Sequence, residues 1–153
     1  MKKISNPYVG QKNYFCFGCS PDNSYGLQLE FFEDEEFVVA NWKPKEHLQG
    51  FTNILHGGIQ ATLMDEIASW YILAKLKTAG VTSKIEVNYK RPVFMNKGPI
   101  KLKAILRQMK KNIAEIDVKI FSSEGKILTT GIISYFTFSK EEAKKRLNYF
   151  NEN

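Results

Sequence analysis

A chain of 153 residues, 43% hydrophobic and 25% charged, is long enough to bury roughly two thirds of its unfolded surface as one domain, without help from disulfides or metal. No apolar run is long enough to span a bilayer, and the N-terminus, MKKISNPYVG, lacks the apolar core of a signal peptide, so a cytoplasmic protein with no membrane partner is expected. The net charge of +6 favours anionic partners; against nucleic acid, the lysines are spread through strands and the last helix, with no basic arm or RNP-like aromatic run, and a phosphate-bearing small molecule is an equally good recipient of that charge.

Residues 1–26 are rich in Asn, Gly, Pro and aromatics without periodicity and read as an ordered lead-in. Within them Cys16 and Cys19 form Cys-Phe-Gly-Cys, a spacing that suits half a zinc site or a redox pair. Zinc would need two more ligands, and the only histidines are His47 and His56. A redox pair wants a strand before it and a helix after it, whereas Ser20-Pro21-Asp22-Asn23-Ser24 follows. A structural turn is therefore expected, with no metal and no cofactor.

Leu27–Phe32 and Phe37–Trp42 read as two strands joined by the charged tip Glu33-Asp34-Glu35-Glu36, and Lys43-Pro44 stops the second. After a loop over 44–54, the stretch Leu55–Lys77 reads as a helix of about 20 residues, roughly 30 Å long, apolar nearly all round and therefore central. Lys75 and Lys77 suit its last turn, and Gly80 is placed for a left-handed C-cap. The period then changes to two: strands are expected over Thr82–Val93, with Ile85, Val87 and Tyr89 on one face, then Ile100–Met109, Ile113–Phe121 and Lys126–Phe138. Ser139-Lys140-Glu141-Glu142 is a capping box that starts a short C-terminal helix. The order is α+β rather than βαβ, and an antiparallel sheet of this size must curl around the one element apolar enough to cover it.

Two features of the central helix bear chemistry. At its start, Gly57 and Gly58 offer backbone N–H groups with no intrahelical acceptor, at the positive end of the dipole, where a carbonyl oxygen turning into an oxyanion would bind; the alternative is that they only allow close packing. Two turns in, Asp65 is flanked by the small residues Ala61, Thr62, Ala68 and Ser69, whereas Glu66 shares a stripe with Leu63, Trp70 and Leu73. Asp65 is thus the candidate for chemistry, and Glu66 a structural acid paired with a lysine.

The stretches LHGGIQATLMDE (55–66) and TSKIEVNYKRPV (82–93) resemble the signature of hotdog-fold acyl-CoA thioesterases of the PaaI type. Cys-Phe-Gly-Cys with Pro21-Asp22-Asn23 and Gly26-Leu27 resembles the lead-in of one branch of them. The resemblance runs from about Tyr14 to Phe138. It implies a hotdog fold, a curled antiparallel sheet wrapped around one long helix, with residues 1–26 as lead-in, 27–138 as the domain and 139–153 as a C-terminal helix and tail. It also implies a homodimer or homotetramer with active sites at the dimer interface.

In that family the acid in the place of Asp65 acts as nucleophile or as general base. Gly57 offers its N–H to the thioester oxygen from the opposite subunit, with Gly58 beside it, and the residue in the place of Thr82 positions the water or carboxylate. His56 is the motif histidine, expected to support the loop and the oxyanion site. Gly50 stands where some members carry a substrate-contacting Asn, so Gln49 and Asn53 are the substitutes expected there. Lys90 and Arg91 would meet the phosphates of coenzyme A, or are solvated strand charges. The resemblance also leaves room for a non-catalytic acyl-CoA-binding hotdog module. An acyl dehydratase ranks below both, because His56 lies at the helix entrance rather than in a dehydratase pattern.

Overall fold

The computed structural model describes residues 1–149; the last four residues of the C-terminal tail lie outside the described residues. Seven antiparallel strands form one sheet in the order β1-β2-β3-β5-β6-β7-β4. They are β1 (Lys2–Lys3), β2 (Phe32–Asp34), β3 (Phe37–Trp42), β4 (Gly80–Tyr89), β5 (Ile100–Lys110), β6 (Ile113–Phe121) and β7 (Ile127–Thr137). The helix α1 (Gly57–Tyr71) follows β3 and continues as a π-helical turn over Ile72–Leu76, and α2 (Lys140–Leu147) closes the described chain.

Strict alternation drives the sheet. Leu102 and Ala104 of β5, Ala114, Ile116, Val118 and Ile120 of β6, and Ile133 of β7 are buried on one face, while β5 presents Lys101, Lys103 and Arg107 away from it. That apolar face curls around α1, which touches β3, β4, β5, β6 and β7; only a curled sheet lets one helix reach five strands. Leu63, Met64 and Ile67 of α1 are fully buried in the resulting core, each stabilising the fold by about 1.5–3 kcal/mol. This is the hotdog arrangement. No helix among the described residues is long and apolar enough to cross a membrane.

Four local expectations change. The first strand is shorter than Leu27–Phe32: only Phe32–Asp34 is laddered, so Glu33 and Asp34 belong to β2 and the turn is Glu35-Glu36. Leu27, Leu29 and Phe31 are buried all the same, because their backbone pairs with the lead-in (Leu27 N to Phe17 O, 2.7 Å; Leu29 N to Gly18 O, 2.9 Å) rather than with a strand. The left-handed residue after the helix is Lys77 (φ 55°), not Gly80. Gly80 opens β4, and a Cβ there would stand 2.3 Å from the Phe136 carbonyl, so close packing rather than backbone sign requires glycine. Finally, β4 stops at Tyr89 instead of reaching Val93, and it is an edge strand. Ile85 and Tyr89 do share a face, but they are 42% and 52% exposed.

Candidate active site

The helix start is built around His56. It is the N-cap, with φ −56° and ψ 131°, and its Nδ1 accepts the Gly58 N–H at 2.9 Å. The Gly58 amide is therefore engaged, contrary to the expectation of two bare N–H groups. Gly57 keeps its N–H free of any acceptor among the described residues, as the first amide of a helix must unless something outside the helix meets it. Its carbonyl accepts the Tyr89 hydroxyl at 2.6 Å, which ties the helix start to the edge strand. Beneath it, buried Gln60 accepts the Thr129 hydroxyl at 2.6 Å and anchors the first turn to β7.

Further along, Asp65 faces β4 and β7. Its Oδ1 accepts two hydroxyls, from Thr82 at 2.8 Å and from Tyr135 at 2.6 Å. Thr82 and Tyr135 are direct cross-strand partners, so their side chains leave the sheet on the same face. A bulge between Thr82 and Lys84 adjusts the register of β4 there, as bulges beside functional groups do. Burial, then the Asp65 carboxylate, raise the Tyr135 phenol, so it stays a donor. With both donors on Oδ1, Oδ2 has no side-chain partner among the described residues.

Thr82 was within reach of sequence only through family resemblance, and Tyr135 was missed. The signal for Tyr135 lies in β7, where it shares the inward-facing positions with Ile133, and a buried phenol needs a partner.

The other candidates fall elsewhere. Asn53, left-handed at φ 63°, accepts the Asn96 N–H and donates its amide to Asn96 Oδ1 at 3.1 Å; Gln49 Oε1 accepts the Asn53 N–H at 3.1 Å. Both amides thus hold the loop before the helix together. Lys90 and Arg91 are exposed, and both their backbone N–H groups reach Leu128 O. Arg91, with Lys97, Lys126 and the Glu124 that stands 3.8 Å from Lys126, lines a cavity of about 430 Å³ beside Val93 and Phe94, which pair with Leu55 and Ile54 just before the helix. Of the aromatic residues near the helix, Trp70 and Tyr71 are core, whereas Phe51 is 86% exposed.

Among the described residues, Glu66 pairs with no lysine. It looks out about 100° round the helix from Asp65, beside Cys16 Sγ (3.6 Å) and the Trp70 indole N–H (3.2 Å). Burial, then the neighbouring Cys16, raise its carboxyl to about 7.

A family model for the thioesterase superfamily matches residues 52–129, which contain Gly57, Asp65 and Thr82 but neither Tyr135 nor the two cysteines. No curated protein matches the chain. Among solved structures, a hypothetical thioesterase protein from Streptococcus pneumoniae, crystallised with coenzyme A, is 21% identical; the match covers 73% of this chain and 90% of that one at a TM-score of 0.67. A thioesterase from Haemophilus influenzae is 21% identical over 74% of this chain and 80% of its own, with a TM-score of 0.65. A Bacillus halodurans protein crystallised with CoA is 22% identical over 74% and 76%, at a TM-score of 0.65. At such identities the likeness is one of fold.

Proposed function

The chain belongs to the thioesterase superfamily, and from that premise we propose that it hydrolyses an acyl-CoA thioester to a free carboxylate and coenzyme A. The observation that carries this reading is the carboxylate of Asp65, locked through Oδ1 by Thr82 and Tyr135 beside an edge strand that is open to solvent. Such a group is oriented without being neutralised. It either attacks the acyl carbon through Oδ2 or takes a proton from a water that does so. The thiolate departs with little need of an acid, since a thiol has a pKa near 8.5.

Gly57 supplies the oxyanion donor in this mechanism, and its distance from Asp65 supports a site shared with a second subunit. Gly57 and Asp65 are eight residues apart on one helix, about 12 Å at 1.5 Å per residue, too far for both to meet one carbonyl. Two copies paired through β4, the long exposed edge, would bring the Gly57 of each towards the Asp65 of the other, in a homodimer or in a tetramer of two such dimers. The cavity lined by Arg91, Lys97 and the Lys126–Glu124 pair sits beside the chain that leads into the helix, where Arg91 and Lys97 would meet the phosphates of coenzyme A, and two structural neighbours were crystallised with coenzyme A.

The test is a hydrolysis screen over acyl-CoAs of graded length and aromatic character, following released thiol with a colorimetric reagent. Turnover is expected on at least one of them, falling by roughly a hundredfold or more in folded Asp65→Asn. Near-wild-type turnover in that variant removes Asp65 from the chemistry. Ligand-dependent stabilisation without turnover on any thioester would make the protein a binding module instead.

A further inference from the structure

The side of α1 away from Asp65 carries a second cluster that the hydrolytic reading does not use. The Cys16-Phe17-Gly18-Cys19 turn is pinned by Ser20 N to Cys16 O (3.1 Å) and by the two bonds from Leu27 and Leu29. It presents both sulfurs to the Glu66 carboxylate. Cys16 Sγ, Cys19 Sγ and a Glu66 oxygen all lie within 4.8 Å of one another. Gly18 is what allows this: a Cβ there would fall 2.3 Å from Glu66 Cδ, so any other residue would push the carboxyl away.

Cys16 Sγ stands 3.6 Å from Glu66 Oε1, and Cys19 Sγ stands 2.9 Å from the Tyr14 hydroxyl. Glu66 makes no ion pair among the described residues. Two thiols and a carboxyl are thus gathered without an ion pair among the described residues, although Lys12 lines the same cavity as they do.

We propose that Cys16, Cys19 and Glu66 form a binding site for a thiophilic divalent cation of the zinc class, which clamps the lead-in onto the central helix. Zinc holds thiolate sulfur at about 2.3 Å and carboxylate oxygen at about 2.0–2.2 Å in a tetrahedron, so its ligand atoms stand roughly 3.5–3.8 Å apart, in keeping with this cluster. The fourth position opens towards a cavity of about 420 Å³ that Cys16, Cys19 and Glu66 help to line, together with Tyr14 and Ser69. Binding displaces to solvent whatever protons the two thiols and Glu66 carry. The divalent charge then offsets two of the three negative charges left on the ligands.

The site is tested on the reduced, full-length protein with Co²⁺ alone as the probe. One Co²⁺ per chain is expected, with a sulfur-to-metal charge-transfer band in the near ultraviolet and tetrahedral absorption in the red, both abolished by Zn²⁺. Glu66→Gln should keep the charge-transfer band but weaken binding by at least about tenfold. Cys16→Ser should lose most of the band. Because a cysteine variant can misfold, the native thiols supply a second readout: Zn²⁺ should slow their reaction with a thiol reagent by about tenfold or more, and a chelator should restore it. Absence of the band, thiol reactivity indifferent to Zn²⁺, or unchanged Co²⁺ affinity in a folded Cys16→Ser/Cys19→Ser protein would each overturn the assignment.

Discussion

Asp65 and Glu66 are consecutive residues of one helix, yet they look out about 100° apart onto two regions of different construction. The Asp65 side is made by the sheet: Thr82 from an edge strand and Tyr135 from its neighbour meet one oxygen of the carboxylate, and solvent reaches the groove. The Glu66 side is made by irregular chain, a cysteine turn drawn in by its bonds to Leu27–Leu29. Two hydroxyl donors orient the Asp65 carboxylate, while burial and then the neighbouring Cys16 raise the Glu66 carboxyl. The lesson is that the character of an acid on a central helix is set by what covers it.

The largest expected effect tests whether the Asp65 region is completed by another chain. Gly57→Pro removes the proposed oxyanion donor with little strain: proline is tolerated at the first helical position, His56 already has the extended backbone that precedes proline, and a Cβ at Gly57 meets only the Tyr89 ring at 3.5 Å. Alone, Gly57→Pro and Asp65→Asn should each reduce turnover by about 10²–10³-fold. Co-expressed, half of the dimers would be mixed, each with one intact site of two, so about a quarter of wild-type activity should return. No recovery would mean that both groups act within one chain or not at all.

A smaller effect separates the two sides of the helix. Tyr135→Phe withdraws one charged hydrogen bond from Asp65 and should lower kcat by roughly five- to thirtyfold, from a loss of about 1–2 kcal/mol, while leaving Co²⁺ binding unchanged. A kcat equal to wild type would show that Thr82 alone positions the carboxylate.

The smallest concerns a pair outside both regions. Lys75, in the π-turn, donates to Glu33 of β2 at 2.8 Å and holds its carboxyl below the usual range. A depressed acid contributes stability that is present above its unfolded pKa and lost as pH falls through the folded one. Lys75→Gln should therefore cost about 0.5–1 kcal/mol at neutral pH, with the deficit shrinking as pH is lowered towards about 3, measured by denaturant unfolding. Neither thioester turnover nor Co²⁺ affinity should change, and a change in either would mean that the hairpin reaches one of the two sites.

Much of the fold was legible because burial follows period. The alternation in 113–121 marks β6 to the residue, FVVANW marks β3, and Ser139 caps α2 as its capping box foretold, accepting the Glu142 N–H. Leu27–Phe31 misled because alternation reports burial rather than a ladder, and here the partner is the lead-in. Gly80 misled because glycine answers to close contact as well as to positive φ. Within the site, Asp65 could be singled out by its small neighbours, whereas Tyr135 stands 70 residues away and joins it only through strand register.

What the sequence determined by itself is the set of elements and the presence of a central helix with two acids inside it, because hydrophobic periodicity and end signals are local properties of the chain. Which acid meets hydroxyls and which meets thiols was decided only in three dimensions. A search for metal ligands near Cys-Phe-Gly-Cys that counts histidines misses Glu66, 50 residues on, which reaches the sulfurs only because the lead-in folds back over α1 and because Gly18 leaves room for a carboxyl. The order of the strands likewise puts the long β4 at an open edge beside Asp65, a placement that no local pattern in Gly80–Tyr89 could reveal.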